Sequence, residues 1–358
     1  MLFTHVCSWP EVRRGGERYL HELAAALRRR GHAVTILSTA PEASRDEQLG
    51  VPVHRLKRHH PPGRHTMLDA EAVFGVQALG HALRSRPDVW QAFGTADAAA
   101  AAVLGRVRPR LATAYLDLGI PVRASRDRRP DRRLHAEVVR DIGEYQCLST
   151  VAQEALQSDY HRTGAITPGG VRLADFPMSA EREQRPTLLF VGSVDETRKR
   201  VTELLETAVR VRPRVPELQV WLSGPGDMAA AVAAVPGAAE IVTSALLDDR
   251  DALVERYRRS WLTVHPATHE AFGLVLVESL ACGTPVIARG DTGPRDIVTP
   301  ETGLLIGDAP WDDALVRGLE LVHETGRPEA CRERATAFDW DTAIAPLFEE
   351  VYARASRR

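Results

Sequence analysis

The stretch His269–Ala288 reads HEAFGLVLVESLACGTPVIA. Leu274, Val275, Leu276, Val277, Leu280 and Ala281 make its middle apolar nearly all round, and a helix of that kind is buried. The pattern predicts a helix over 273–282 and a strand over 284–288. Glu270 falls just before the helix and Glu278 inside it, eight residues on. A carboxylate in a buried helix costs on the order of several kcal/mol unless donors pair with it, so Glu278 must have partners. Two readings stand. In one, Glu270 caps the helix and Glu278 meets an arginine. In the other, the free N–H groups of Phe272, Gly273 and Leu274, with the helix dipole, receive a phosphate while Glu278 accepts ligand hydroxyls. Spacing alone leaves both open.

Upstream, the pattern alternates strand and helix. Thr187–Gly192 reads as a strand, Val201–Val211 as a helix, Leu218–Leu222 and Trp261–His265 as strands. The tail, Trp311–Glu324 and Trp340–Arg354, is helical. The first half repeats the scheme, with strands at Leu2–Cys7, Ala33–Thr39, Val51–Leu56, Asp88–Phe93, Leu111–Leu116 and Tyr145–Thr150. Helices fall between them, for example from Glu17 to Leu27, closed by Gly31, and over Ala96–Val107 and Leu134–Ile142. Such alternation implies a parallel sheet covered on both faces. Thr167–Pro186 holds three prolines and the Gly169-Gly170 pair, and reads as a linker. The expectation is an α/β protein of two doubly wound, Rossmann-like domains, 1–170 and 171–340, with a cleft between them and the helix from about 340 to 358 packing back on the first. In open α/β sheets ligands sit at the carboxyl ends of the strands.

Composition narrows the class. The chain has 358 residues, 44% hydrophobic and 26% charged, which excludes a disordered or fibrous protein. No apolar run approaches the roughly 20 residues needed to span a bilayer. Met1–Cys7 has no basic leader and no small-residue cleavage site, so it reads as a strand. The scattered Cys7, Cys147, Cys282 and Cys331 suit a reducing cytoplasm, and a cytoplasmic location is expected. Residues 1–180 carry 25 Lys and Arg against 19 Asp and Glu; residues 181–358 carry 21 against 29. The basic half lacks a cationic helix with interleaved aromatics, so no nucleic acid is expected. Lys57 and Lys199 are the sole lysines among 46 basic residues, so a lysine where arginine is the habit invites a reason.

With these residues in place, His269–Ala288 resembles the Glu-x7-Glu signature of the retaining, group-four glycosyltransferases of GT-B fold. Ala271 replaces the family's first glycine. RRGGERYLHELAAALRRRGHAVTIL (13–37) resembles the family's N-terminal glycine loop and first helix, with Gly15 and Gly16 at the helix start. LLFVGSVDETRKRVTELLETA (188–208) resembles the strand, loop and helix that hold the diphosphate, and Lys199 falls on the lysine position. ITPGGVRLADF (166–176) and GLLIGD (303–308) match further family segments, so the resemblance runs from about residue 1 to 350.

The resemblance implies transfer of a sugar from a nucleotide diphosphate-sugar to an acceptor, with retention and without metal or cofactor. Glu270 and Lys199 would be catalytic. Glu270 would bind sugar hydroxyls and Glu278 the ribose. Lys199, helped by Arg198 or Arg200, would neutralise the leaving diphosphate. Ser193, Phe272, Gly273 and Leu274 would line the donor, and Gly15 and Gly16 would close on its phosphates. The acceptor stays open between a small metabolite and a lipid-linked molecule.

Three departures stand out. The family's arginine after Gly192 is Ser193, the glycine after its lysine is Arg200, and a histidine many relatives carry is absent from Tyr115-Leu116-Asp117. Ser193 and the missing histidine keep open a catalytically weak partner subunit; an epimerase acting on the nucleotide-sugar itself is a further alternative. Arg123, Arg126, Arg128, Arg129, Arg132 and Arg133 read first as a solvated loop, and second as a contact for an anionic acceptor or a weak peripheral membrane contact. His54, His59, His60 and His65 lack zinc-ligand spacing, and no metal site is expected.

Overall fold

The computed structural model describes every residue except 13–14, 61–66, 122–128, 180, 248, 309 and 358. Arg123, Arg126 and Arg128 of the arginine stretch, and His65 of the histidine loop, lie outside the described residues. The chain divides into two compact units, Met1–Gly169 with Trp340–Arg358, and Gly170–Asp339.

The first unit carries β1 (Leu2–Thr4), β2 (Thr35–Ala40), β3 (Ser44–Gln48), β4 (Val51–Lys57), β5 (Val89–Ala92), β6 (Ala112–Asp117), β7 (Glu144–Cys147) and β8 (Ala165–Ile166). Its helices are α1 (Gly15–Arg29), α2 (Met67–Ser85), α3 (Thr95–Val107), α4 (Arg129–Asp141) and α5 (Thr150–Tyr160). The sheet order is β3-β4-β2-β1-β5-β6-β7-β8. All pairs are parallel except the β3–β4 hairpin. Thr150 begins a helix and does not end the preceding strand, because the Ser149 side chain accepts from the Ala152 N–H and caps that turn.

The second unit carries β9 (Thr187–Val191), α6 (Val201–Val211), β10 (Gln219–Ser223), α7 (Met228–Ala233), β11 (Val242–Ala245), α8 (Arg250–Arg259), β12 (Leu262–His265), α9 (Leu274–Ala281), β13 (Val286–Arg289), β14 (Gly303–Ile306), α10 (Asp312–Leu321) and α11 (Arg327–Thr336). Its sheet runs β11-β10-β9-β12-β13-β14, wholly parallel. Renumbered within the unit that order is 3-2-1-4-5-6, two βαβαβ halves wound outward from the centre. The core follows from the apolar strands: Leu188, Phe190, Val220, Leu222, Leu262, Val264 and Ile287 pack on Leu204, Leu205, Leu315 and Leu319.

After Asp339 a π-helical turn (Trp340–Ile344) leads into α12 (Ala345–Ala355), and both belong to the first unit. Trp340 packs edge-on against Tyr19, centroids 5.0 Å apart, and its indole N–H donates to Glu22 at 2.8 Å. The Tyr352 hydroxyl donates to Gln91 on β5 at 3.0 Å. A large aromatic finds its apolar packing and its one polar partner together here, which fixes the terminal helix on the sheet.

Candidate functional site

In the second unit the winding reverses between β9 and β12. Their following segments turn to opposite faces of the sheet and leave a crevice at the carboxyl ends. The segment after β9 ends in a 3-10 turn, Thr197–Lys199; the segment after β12 carries Glu270. The two are stitched together by the Thr268 N–H, which donates to the Arg198 carbonyl at 2.8 Å.

The side chains converge there on one oxygen. Glu270 Oε2 accepts from Lys199 Nζ at 2.7 Å, from Arg198 Nη1 at 3.1 Å and from His265 Nε2 at 3.1 Å. Glu270 Oε1 accepts no hydrogen bond among the described residues. Lys199 and Glu270 keep 13% and 14% of their side-chain surface exposed, enough for a ligand to reach them and too little for free hydration. Burial alone would raise the Glu270 pKa. The hydrogen bond from His265 and the charge of Lys199 overturn that and hold it well below the usual carboxylate range. Burial lowers the pKa of His265, with Lys199 and Arg198 pushing the same way against the pull of Glu270, so the ring is neutral and serves as an N–H donor.

The backbone around Glu270 is set by glycines. Gly273, at φ +107°, caps α9 in a conformation that disfavours a side chain. A Cβ on Gly293 would stand 2.3 Å from the Ala271 carbonyl oxygen, and the Gly293 N–H donates to the Glu270 carbonyl at 2.8 Å. Arg289, buried at the end of β13, braces the same segment by donating to the Pro266 carbonyl at 2.8 Å. The N–H groups of Phe272, Gly273 and Leu274 have no protein acceptor among the described residues. Phe272 is buried with its ring 5.6 Å from Phe338, so its contribution is packing and a backbone donor.

Glu278 is buried on α9 and accepts from the Tyr257 hydroxyl at 2.8 Å; a phenol on α8 is among its partners. Arg200 turns to Glu203, Nε to Oε2 2.8 Å, because residue 200 is the left-handed cap of α6 (φ +56°) and its side chain lies along the first helical turn. Ser193 is half-buried in the segment after β9. Gly15 and Gly16 open α1 in the first unit, and a Cβ on Gly16 would meet the Leu118 side chain at 2.8 Å.

A groove of about 640 Å³ runs along Val194–Thr197, the first turns of α6 and Asp308–Trp311. It includes Arg200 and none of Lys199, Glu270 or Glu278. We place the candidate chemistry at Glu270, where opposite charges converge at a sheet switch point, and not in this groove. In the first unit, His5 Nδ1, Cys7 Sγ and the Glu17 carboxylate lie within 4.8 Å of one another. The Cys7 thiol donates to Glu17 at 3.3 Å and His5 Nδ1 sits 2.7 Å from the Cys7 carbonyl oxygen, so this cluster's groups already bond to each other.

Sequence reasoning passed over His265 and Arg289. Each is a titratable residue at the last position of a buried strand, the place where a doubly wound sheet presents side chains to ligands, and that was the available signal.

Comparison with known proteins bears on family and fold. The family described as "Glycosyl transferases group 1" matches residues 171–338, and "Glycosyl transferase 4-like domain" matches residues 14–160. A phosphatidyl-myo-inositol mannosyltransferase of Propionibacterium freudenreichii is 29% identical over 227 residues, 58% of this chain and 56% of the relative. A D-inositol 3-phosphate glycosyltransferase of Thermobispora bispora is 32% identical over 262 residues, 63% of this chain and 60% of the relative. The chain thus spans well under two thirds of the length of these curated relatives. The solved sucrose-phosphate synthase of Thermosynechococcus elongatus shares the fold, with a TM-score of 0.83 at 20% identity over 99% of this chain and 98% of that one. No helix among the described residues is long and apolar enough to cross a membrane. With the two matched segments lying on its two units, the chain belongs to the group 1 glycosyl transferases of GT-B fold.

Proposed function

We propose that the protein transfers a sugar from a nucleotide diphosphate-sugar to an acceptor hydroxyl, with retention of anomeric configuration and with no bound metal or cofactor. The observation that carries this reading is the meeting of Lys199 and Arg198 with Glu270 at the β9/β12 switch point. A departing diphosphate develops negative charge, and two cations already gathered in a half-buried place are suited to meet it. A unit charge pair about 4 Å apart is worth roughly 4 kcal/mol at an effective dielectric near 20, before desolvation is subtracted. With that charge supplied by side chains, a divalent ion has no necessary part.

Glu270 Oε1 would accept from the sugar hydroxyls, the N–H groups of Phe272, Gly273 and Leu274 would add donors, and Glu278 would serve the ribose. The leaving phosphate oxygen can take the acceptor proton, so no separate general base is required. Arg198, already on Glu270, is better placed than Arg200 to supply the charge that Ser193 does not. The relatives above are named for phosphatidyl-myo-inositol and D-inositol 3-phosphate, which makes an inositol phosphate, free or lipid-linked, the first acceptor to try.

The test is incubation with a panel of nucleotide diphosphate-sugars and inositol phosphates in the presence of chelator, with the product's anomeric proton read by NMR. The expected product keeps the donor's configuration. An inverted product, or activity only with added magnesium or manganese, would contradict the proposal.

A further inference from the structure

The three donors on Glu270 Oε2 differ in what else they can bind. Lys199 and Arg198 are cations with a choice of anion; Arg198 already shares itself with Glu196 at 2.8 Å. An incoming diphosphate competes for both. His265 has no such choice. It is the last residue of β12, its backbone is in register with Ala288 on β13, and only 1% of its side chain is exposed. A carboxylate only accepts, so Nε2 carries the proton toward Glu270. Nδ1 is buried and has no hydrogen-bond partner among the described residues. Protonating the ring would bury a second N–H with no acceptor, so this geometry itself keeps the imidazole neutral. An unpaired buried nitrogen is destabilising, and a leucine would fill the same space without it. The hydrogen bond to Glu270 is the ring's one polar contact among the described residues.

We infer that His265 is a positioning residue that keeps Glu270 held by Oε2 when the diphosphate draws Lys199 and Arg198 away, so that Oε1 stays turned to the donor sugar. The inference rests on the donor-site reading above and adds to it a division of labour. The two cations exchange partners during binding, and a neutral, rigid donor does not. The charged and titratable groups that face Glu270 are Lys199 and Arg198 from the turn after β9 and His265 from β12.

The experiment compares wild type with His265→Leu and His265→Gln, the glutamine amide being able to offer an N–H near the position of Nε2. His265→Leu is expected to lower kcat by roughly tenfold or more while nucleoside diphosphate affinity stays within about threefold, since the lost contact belongs to Glu270 and not to the phosphates. The acid limb of kcat should move to higher pH, because Glu270 loses a donor that favours its ionised form. His265→Gln should recover a good part of both. Unchanged kcat and acid limb in His265→Leu would overturn the inference, as would equal losses of affinity and turnover with no rescue by glutamine. A readout free of substrate covers a leucine variant that does not fold. In ¹⁵N spectra of the wild-type imidazoles at pH 7 to 8, with His265 assigned from the glutamine variant, Nε2 should be protonated and Nδ1 bare, and Glu270→Gln should shift the Nε2 signal. A protonated Nδ1, or no response to Glu270→Gln, also overturns it. An inactive wild type with the expected spectra would instead count against the functional reading alone.

Discussion

Lys199 Nζ lies 2.7 Å from Glu270 Oε2, although 71 positions separate the two residues in the chain. They meet because each follows one of the two central strands of the second sheet, β9 and β12, which are hydrogen-bonded neighbours. The ion pair is thus a product of topology. Any chain wound in this order brings these two segments together, and this one places a carboxylate on one and two cations on the other.

Glu270→Gln should cut turnover by roughly 10²-fold, the scale of losing one positioned polar group at a reacting centre. Nucleoside diphosphate affinity should hold or improve, because Lys199 and Arg198 lose a competing anion. Steady-state kinetics with calorimetry separates the two effects; unchanged turnover would remove Glu270 from the site.

Arg200→Gly should leave activity within about twofold and raise the thermal midpoint by about 2 °C, since a non-glycine residue in the left-handed region costs on the order of 1 kcal/mol. Glu203 keeps Arg289 and the Trp311 indole, so the lost exposed pair matters little. If Arg200→Gly instead loses most activity and Ser193→Arg restores it, Arg200 reaches the diphosphate and supplies the charge missing at Ser193.

Much of this architecture was legible because burial imposes periodicity. The strands on either side of the switch point and the apolar helix α9 stand out in the sequence, and with them Lys199, Glu270 and Glu278. What escaped was one-sided or polar. β3 is Ser44–Gln48, an almost wholly exposed edge strand held by its hairpin, with no apolar alternation to mark it. α8, Arg250–Arg259, buries only Val254 and Tyr257 among its charges, so its pattern is thin. β11 was hidden in a stretch that reads as a loop, because Thr243 and Ser244 face solvent at the sheet's edge. Partner choice was also beyond the pattern. That Arg200 turns to Glu203 and Arg198 to Glu270 depends on a left-handed residue between turn and helix.

Asp97 offers a separate test of the first unit. It is buried at the start of α3, where Oδ2 accepts from the Thr4 hydroxyl and the Phe93 N–H, and Oδ1 has no partner among the described residues. Burial pushes its pKa from 3.8 to about 8, with Glu71 adding to the rise. The folded protein therefore holds a proton that the unfolded chain releases near pH 3.8. Stability falls as pH rises through that window, and the loss is complete above about 8. Asp97→Asn has no such proton. The difference in midpoint between variant and wild type should move in the variant's favour from pH 5 to 8 and then level off. A difference that stays flat across that range would mean Asp97 is ionised in the fold.

We propose the Lys199–Glu270 cluster as the seat of the donor's diphosphate. The most direct test is calorimetric titration of wild type and Lys199→Ala with nucleoside diphosphates, in chelator. Wild type should bind at least one of them, and Lys199→Ala should weaken that binding by roughly 10²-fold, in line with removing one partner of a desolvated charge contact. Equal affinity in the two proteins, or binding that requires a divalent ion, would contradict the account.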